Sequence, residues 1–286
     1  MAALKEIKER IQSVKSTLKI TSAMKMVASA KLRKAQSAIE GMLPYERSLQ
    51  LTLNELLKTI RPDEGFSAVR PLQRVALVCL ASNSSLCGGF NANAIRETRR
   101  RIAALREEGV EEITVWSVGR KMADAMRQDG FPSPADETQL SAKPSYDAAA
   151  DLAQELVDAF LAGSIDRVEL IYNHFVSTAT QRPVCETYLP LSLPVNEEEG
   201  ESFDEYIIEP DKEELLSILL PKTLKLKLYT VLLDSAAAEH AARTVAMQTA
   251  TDNAEDILQE LSLEYNKGRQ QKITSEILDL VGGMQE

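Results

Sequence analysis

Residues 4–36, LKEIKERIQSVKSTLKITSAMKMVASAKLRKAQ, decide the fold. Leu4, Ile7, Ile11, Val14 and Leu18 recur at steps of three and four, which is a heptad spacing. The stripe continues through Thr21, Met24, Ala28, Leu32 and Ala35, with no Gly before Gly41 and no Pro before Pro44. It resumes through Leu49, Leu53 and Leu56 and stops near Arg61-Pro62. Pro44 is expected to kink the helix, because proline removes a backbone donor and crowds the preceding turn. The other end mirrors this pattern. After Pro221, an alternating three-four step runs from Leu226 through Tyr229, Leu233, Ala236, His240, Arg243, Met247, Ala250, Ala254 and Ile257 to Leu261. It then shifts and continues through Tyr265, Ile273, Ile277 and Leu280, interrupted only by Gly268 before Gly282-Gly283. Much of this stripe is alanine, which lets helix axes approach closely.

Magnitudes decide what these segments must do. About 55 helical residues span roughly 80 Å and about 60 span roughly 90 Å. A compact globule of this length has a diameter of roughly 50 Å. Lone helices this long with apolar seams do not stay unpaired in water. The expectation is an antiparallel coiled coil formed by residues 1–60 and 211–286, protruding from a smaller domain.

That smaller domain, at 72–192, alternates strand and helix signals. RVALVCLAS (74–82) is a buried-strand run, and residues 91–109 read as a helix ending in Gly109. EEITVWSVG (111–119) is a second strand, followed by helices at 120–130 and 145–163. Residues 167–178 and 183–192 read as a final strand pair, in hairpin form. The alternation implies a Rossmann-like, three-layer α/β fold with a mainly parallel sheet. Residues 193–210 form an acidic loop leading into the C-terminal helix.

Composition narrows the function classes. The 286 residues carry a net charge of −10, with 44% hydrophobic and 5% aromatic residues. The charge is polarised: residues 1–40 carry nine Lys/Arg and three Glu, whereas 196–214 carry ten Asp/Glu and one Lys. Such asymmetry points to defined charged partners. Three widely spaced cysteines (Cys79, Cys87, Cys185) do not make a disulfide framework, and two distant histidines (His174, His240) do not make a zinc site. No signal-peptide h-region and no run of 18 apolar residues is visible, so nothing is expected to span a membrane.

The chemical candidates are thin. LCGGFNAN (86–93) follows a strand and opens a helix, where backbone donors can hold a phosphate, but neither G-x-G-x-x-G nor G-x-x-x-x-G-K-[ST] is present. A tight turn permitting close strand–helix approach is the plainer reading. Cys87 lacks a recognisable base partner. The basic N-terminal face fits nucleic acid, anionic lipid, an acidic protein surface or simply a solvated coiled-coil face, and the overall acidity and missing aromatics disfavour nucleic acid. Two further classes stay open: a Rossmann-type nucleotide-binding protein with coiled-coil arms, and a structural adaptor.

Five stretches carry a resemblance over the whole length: 4–36; SSLCGGFNAN (84–93); YNHFVSTATQRP (172–183); YIIEPDKEELLSILLP (206–221); and the long block 235–283. Together they resemble the gamma-subunit family of F-type ATP synthases. Two departures stand out. Asn83-Ser84-Ser85 replaces the family's usual Asp-Arg-Gly before Leu-Cys-Gly, and Gly268 replaces the usual Ala in the N-K-A-R-Q block. The first is expected to alter the turn before the central helix, the second to loosen the helix beside Arg269-Gln270.

The resemblance implies a rotor shaft with no catalytic residue, cofactor or metal of its own. It would turn inside a ring of three alpha and three beta subunits and force each beta site through open and closed states, coupling ion flow to ATP synthesis or hydrolysis. Met24 and Lys25 resemble positions facing the acidic lever of beta, and Arg243, Arg269, Gln270 and Thr274 positions contacting its catch loops. Leu278, Leu280 and Val281 would sit in an apolar bearing, while Tyr206 and Glu209 would approach the membrane c-ring and the epsilon subunit. The implied location is peripheral, on the cytoplasmic face of the bacterial inner membrane.

Overall fold

RVALVCL becomes β1 (Arg74–Leu80), in which Val75 to Leu80 are all buried. A strand apolar on both sides needs cover on both faces and partners on both edges. It has them. The structure, a computed structural model, describes residues 2–59, 65–191 and 211–283. β1 pairs in parallel with β2 (Glu112–Val118) on one edge and with β3 (Arg167–Phe175) on the other. β3 also pairs antiparallel with β4 (Gln181–Leu189), giving the order β2-β1-β3-β4. The sheet is therefore mixed, with the expected hairpin as its antiparallel edge.

Helices cover both faces. On one, Val75, Leu77, Cys79 and Ala81 meet Ala94, Ile102 and Leu105 of α2 (Phe90–Glu107) and Met122 and Met126 of α3 (Arg120–Gln128). On the other, Ala76, Val78 and Leu80 meet α5 (Tyr146–Leu161), which contributes Leu152, Leu156 and Phe160, and Leu224, Leu228, Val231 and Leu232 of α6 (Lys212–Gly283). This is the three-layer α/β arrangement. A short helix, α4 (Thr138–Ala142), plugs Leu140 into the second face; five residues are too few for a periodic signal. Gly119 joins β2 to α3 at φ +102°, and a Cβ there would lie 2.1 Å from the Ala81 carbonyl oxygen. Only glycine fits that junction.

The long helices are continuous through their interrupting residues. α1 (Ala2–Thr59) is helical through Pro44, and α6 is helical through both Pro221 and Gly268. α6 begins well before Pro221, because Leu216 and Leu220 bury against Leu53 and Leu56 of α1. That apolar contact outweighs the backbone bond proline removes. The expected loosening at Gly268 is not seen: the helix is unbroken, and Leu4 seats on the bare glycine, its Cδ2 3.1 Å from where a Cβ would be.

The chain divides into two compact units, Ala30–Ala242 and the pair Met1–Ser29 with Arg243–Glu286. The acidic stretch expected at 193–210 lies outside the described residues.

Candidate functional site

Open α/β sheets bind ligands beyond the strand C-termini, where the strand order reverses. Here the reversal lies between β1 and β3, and the protein fills that crevice itself. Cys87 and Phe90, from the turn after β1, pack on Ala238 and Ala242 of α6. The Asn173 amide donates to the Phe90 carbonyl at 3.0 Å. Alanines on α6 permit this close approach.

The glycine turn is likewise committed to structure. Gly88 takes φ +56° and Leu86 φ +67°. Asn91 Nδ2 donates to Cys87 Sγ at 3.2 Å and to the Ser84 carbonyl at 3.2 Å. Asn83, one of the departures from the family pattern, is well used: its Oδ1 accepts from the Arg120 amide and its Nδ2 donates to the Thr138 carbonyl, both at 2.8 Å. An Asp at this position could accept but not donate. The turn is held, not disturbed.

Among the described titratable residues, no reactive group emerges. Burial pushes the Cys79 and Cys185 thiols up to about 12, with Glu169 adding to the effect at Cys185. Both stay protonated and are poor nucleophiles. Burial opposes ionisation of Glu169, yet the Arg101 guanidinium, bonded at 2.6 and 2.7 Å, holds its carboxyl below the usual carboxylate range. Among the described residues, no cluster of His, Cys, Asp or Glu could hold a metal ion, and no helix is long and apolar enough to cross a membrane.

What the Ala30–Ala242 unit does build is a firm attachment between sheet and α6. Asp234 accepts from the Phe175 amide at 3.0 Å and sits 2.6 Å from His174 Nδ1. Tyr188 donates to the Leu224 carbonyl at 2.8 Å, Lys227 pairs with Glu186 at 3.1 Å, and Tyr146 meets Tyr229 edge-on. The β3–β4 hairpin is thus a bracket on α6, and His174 belongs to it.

The other unit pairs two helical segments with little burial. Among the described residues, those buried are Thr21 and Ala28 from α1, and Met247, Thr251, Ala254 and Leu261 from α6. The seam contains polar contacts. The Thr251 and Thr21 hydroxyls meet across the helices at 2.9 Å, and each also reaches a carbonyl of its own helix, Met247 at 2.8 Å and Leu18 at 3.1 Å. Lys25 Nζ donates to Gln248 Oε1 at 2.6 Å, and Gln248 Nε2 donates to Asp252 Oδ1 at 2.6 Å. Outside the seam, Ile20, Met26, Val27, Leu263, Ile273, Ile277 and Leu278 are exposed.

Sequence-expected site residues fall mainly here. Met24, Lys25 and Arg243 are half-buried along the seam; Arg269, Gln270 and Thr274 are exposed on α6, with Thr274 donating to the Gln270 carbonyl at 2.9 Å. Leu278 is exposed, and Leu280 and Val281 lie in α6 with side chains outside the described residues. Tyr206 and Glu209 also lie outside them. Sequence reasoning missed Gln248, Thr251, Asp252 and Asp234. The (i, i+4) pair Gln248–Asp252 was visible in principle; the cross-helix contacts need the register.

Comparison with known proteins gives the family. The sequence pattern of the ATP synthase family matches residues 3–285. The ATP synthase gamma chain of Phocaeicola vulgatus is 53% identical, covering 99% of each chain. That of Parabacteroides distasonis is 46% identical, over 99% of this chain and 98% of its own. The fold is similar to a chain in the Euglena gracilis mitochondrial ATP synthase structure of OSCP, F1 and c-ring (TM-score 0.64, 21% identity, 99% of this chain and 94% of that one). It is also similar to a chain of that organism's rotor structure (TM-score 0.61, 20% identity, 95% and 99%). With near-complete coverage at this identity, the chain belongs to the ATP synthase gamma-chain family.

Proposed function

We propose that this chain is the non-catalytic central shaft of a rotary ATP synthase, turning inside a ring of alpha and beta subunits. The observation that carries the reading is the exposed apolar side chains of the unit formed by Met1–Ser29 and Arg243–Glu286. Ile20, Met26, Val27, Ile273, Ile277 and Leu278 stand in solvent on helices that bury only a thin seam. An apolar array of this kind marks a surface made for cover. A ring of partner subunits supplies it, and an asymmetric shaft touches each partner differently. Only such unequal contacts shift the partners among their conformations.

Residue roles follow the same reading. Lys25 and Met24 engage the acidic lever of beta; Arg243, Arg269, Gln270 and Thr274 engage its catch loops. Leu278, Leu280 and Val281 turn in an apolar bearing. Tyr206 and Glu209 serve the epsilon subunit and the membrane c-ring. Lys25 suits its role because Gln248, its neighbour at 2.6 Å, is neutral and leaves the positive charge for a carboxylate. The complex holds the chain peripherally, at the cytoplasmic face of the bacterial inner membrane.

The test is reconstitution. The chain alone hydrolyses no ATP, and added alpha and beta subunits create the activity with one copy of this chain per three of each. Appreciable turnover by the chain alone overturns the reading. Lys25→Glu lowers ions pumped per ATP at least two-fold while assembly persists; unchanged pumping per ATP removes Lys25 from the lever contact.

A further inference from the structure

The seam between the segments Met1–Ser29 and Arg243–Glu286 places polar groups where apolar ones would pack more simply. Thr21 and Thr251 are both more than nine-tenths buried, and their hydroxyls meet at 2.9 Å. One turn along α1, Lys25 reaches Gln248 at 2.6 Å, and Gln248 is itself held by Asp252. Valine has the shape of threonine without the desolvation cost of a buried hydroxyl.

Several of the other described seam contacts are small or apolar. Ala28 and Ala254 are buried but short, and Leu4 rests on Gly268, which has no side chain to interlock with it. Apolar contact is non-directional and changes little when surfaces slide by a fraction of an ångström. A hydrogen bond is different: lengthened from 2.9 Å by about 1 Å, it is no longer one. Two helices wound about each other cannot twist as a pair without sliding along their axes. Among the described contacts, two rungs therefore give directional resistance to sliding.

We propose that the Thr21–Thr251 and Lys25–Gln248 rungs are shear pins, positioning contacts that stop the two helices sliding past each other under torque and make this segment torsionally stiff. The proposal rests on the rotor-shaft reading for its purpose, but not for its geometry. The polar side chains give up apolar packing and provide directional linkage, as a buried polar pair does when it fixes register in a coiled coil.

The experiment replaces both hydroxyls without changing shape: Thr21→Val with Thr251→Val, and a second variant adding Gln248→Leu. Thr21→Ser with Thr251→Ser is the conservative control. In the assembled enzyme, a bead on the Ala30–Ala242 unit reports angular fluctuation with the partner ring anchored. The valine pair should widen the angular variance about two-fold and the triple variant more, with Tm unchanged or raised; the serine pair should match the unaltered chain. In parallel, spin labels at Ser13 and Glu260, both exposed, report the distance spread across the seam. That spread should broaden in the valine pair, in the full chain alone and in the complex. Unchanged fluctuation and spread overturn the proposal, as does a fall in Tm with stiffness intact. If the unaltered enzyme shows no rotation, the shaft reading fails instead, and the spin-label spread still decides whether the rungs prevent sliding.

Discussion

In the Ala30–Ala242 unit, both faces of β1 are sealed: Ala76, Leu77, Val78 and Cys79 have no exposed surface at all. In the unit of Met1–Ser29 with Arg243–Glu286, burial among the described residues is a single file that includes the polar Thr21–Thr251 pair, and Leu263 and Leu278 remain 65% exposed. The first unit holds its shape by its own core. The second has helix ladders and a seam, and long helices owe most of their stability to packing. A folded core suits docking and torque transfer; a thin, partly apolar rod suits insertion into a surrounding surface. The contrast predicts where substitutions will hurt.

The largest expected effect is Gly119→Ala. Both the positive φ and the Ala81 carbonyl at 2.1 Å oppose a Cβ. The loss should exceed about 4 kcal/mol, and the fluorescence of the buried Trp116 should report an unfolded core. A native Trp116 signal would show that the junction can relax.

Next comes a matched pair. Phe160→Ala empties a fully buried site and should cost about 3–5 kcal/mol in denaturant melts. Leu261→Ala, at the solvent edge of the seam, should cost less than about 2 kcal/mol in the free chain. Equal losses would break the distinction between the units.

Buried charge sharpens it further. Arg101→Met leaves Glu169 buried without its main cation and should cost about 3 kcal/mol. The sign with pH follows from the direction of the shifts. Burial opposes ionisation of Glu169 and of Asp166, but Arg101 holds the first, and Arg74 with the Gln73 and Arg74 amides holds the second, below their ordinary values. A lowered folded-state pKa adds stability above the unfolded value of about 4, lost as pH falls through the folded value. Arg101→Met should therefore move the acid-unfolding midpoint upward. An unmoved midpoint would mean the pair contributes nothing.

The smallest effect is Gly268→Ala. Alanine gains about 1 kcal/mol of helix propensity, and Leu4 Cδ2, the free end of a flexible side chain, must yield by a few tenths of an ångström. Thermal melts should move by less than about 0.5 kcal/mol in either direction. A large loss would show that Leu4 cannot move.

Much of this was legible in residue order. Heptad steps from Leu4 and Leu226 marked the long helices, and RVALVCL marked a strand covered on both faces. What the order of residues does not show is why the helix passes through Pro221, since propensity cannot weigh the tertiary burial of Leu216 and Leu220. Tyr206 and Glu209 stayed at the level of resemblance. The seam rungs were illegible for a different reason: Thr21 was read as part of the stripe, and nothing local pairs it with a residue 230 positions away. Asp234 stood unnoticed for the same reason, its partners being on β3.

Hydrogen exchange tests the central claim most directly. Amides of residues 1–29 and 243–283 should exchange readily in the free chain and at least 100-fold more slowly once alpha and beta subunits assemble around it. Those of β1 and β3 should be protected equally in both states. Equal protection of the terminal segments, with and without the partners, would contradict a shaft whose stability comes from what surrounds it.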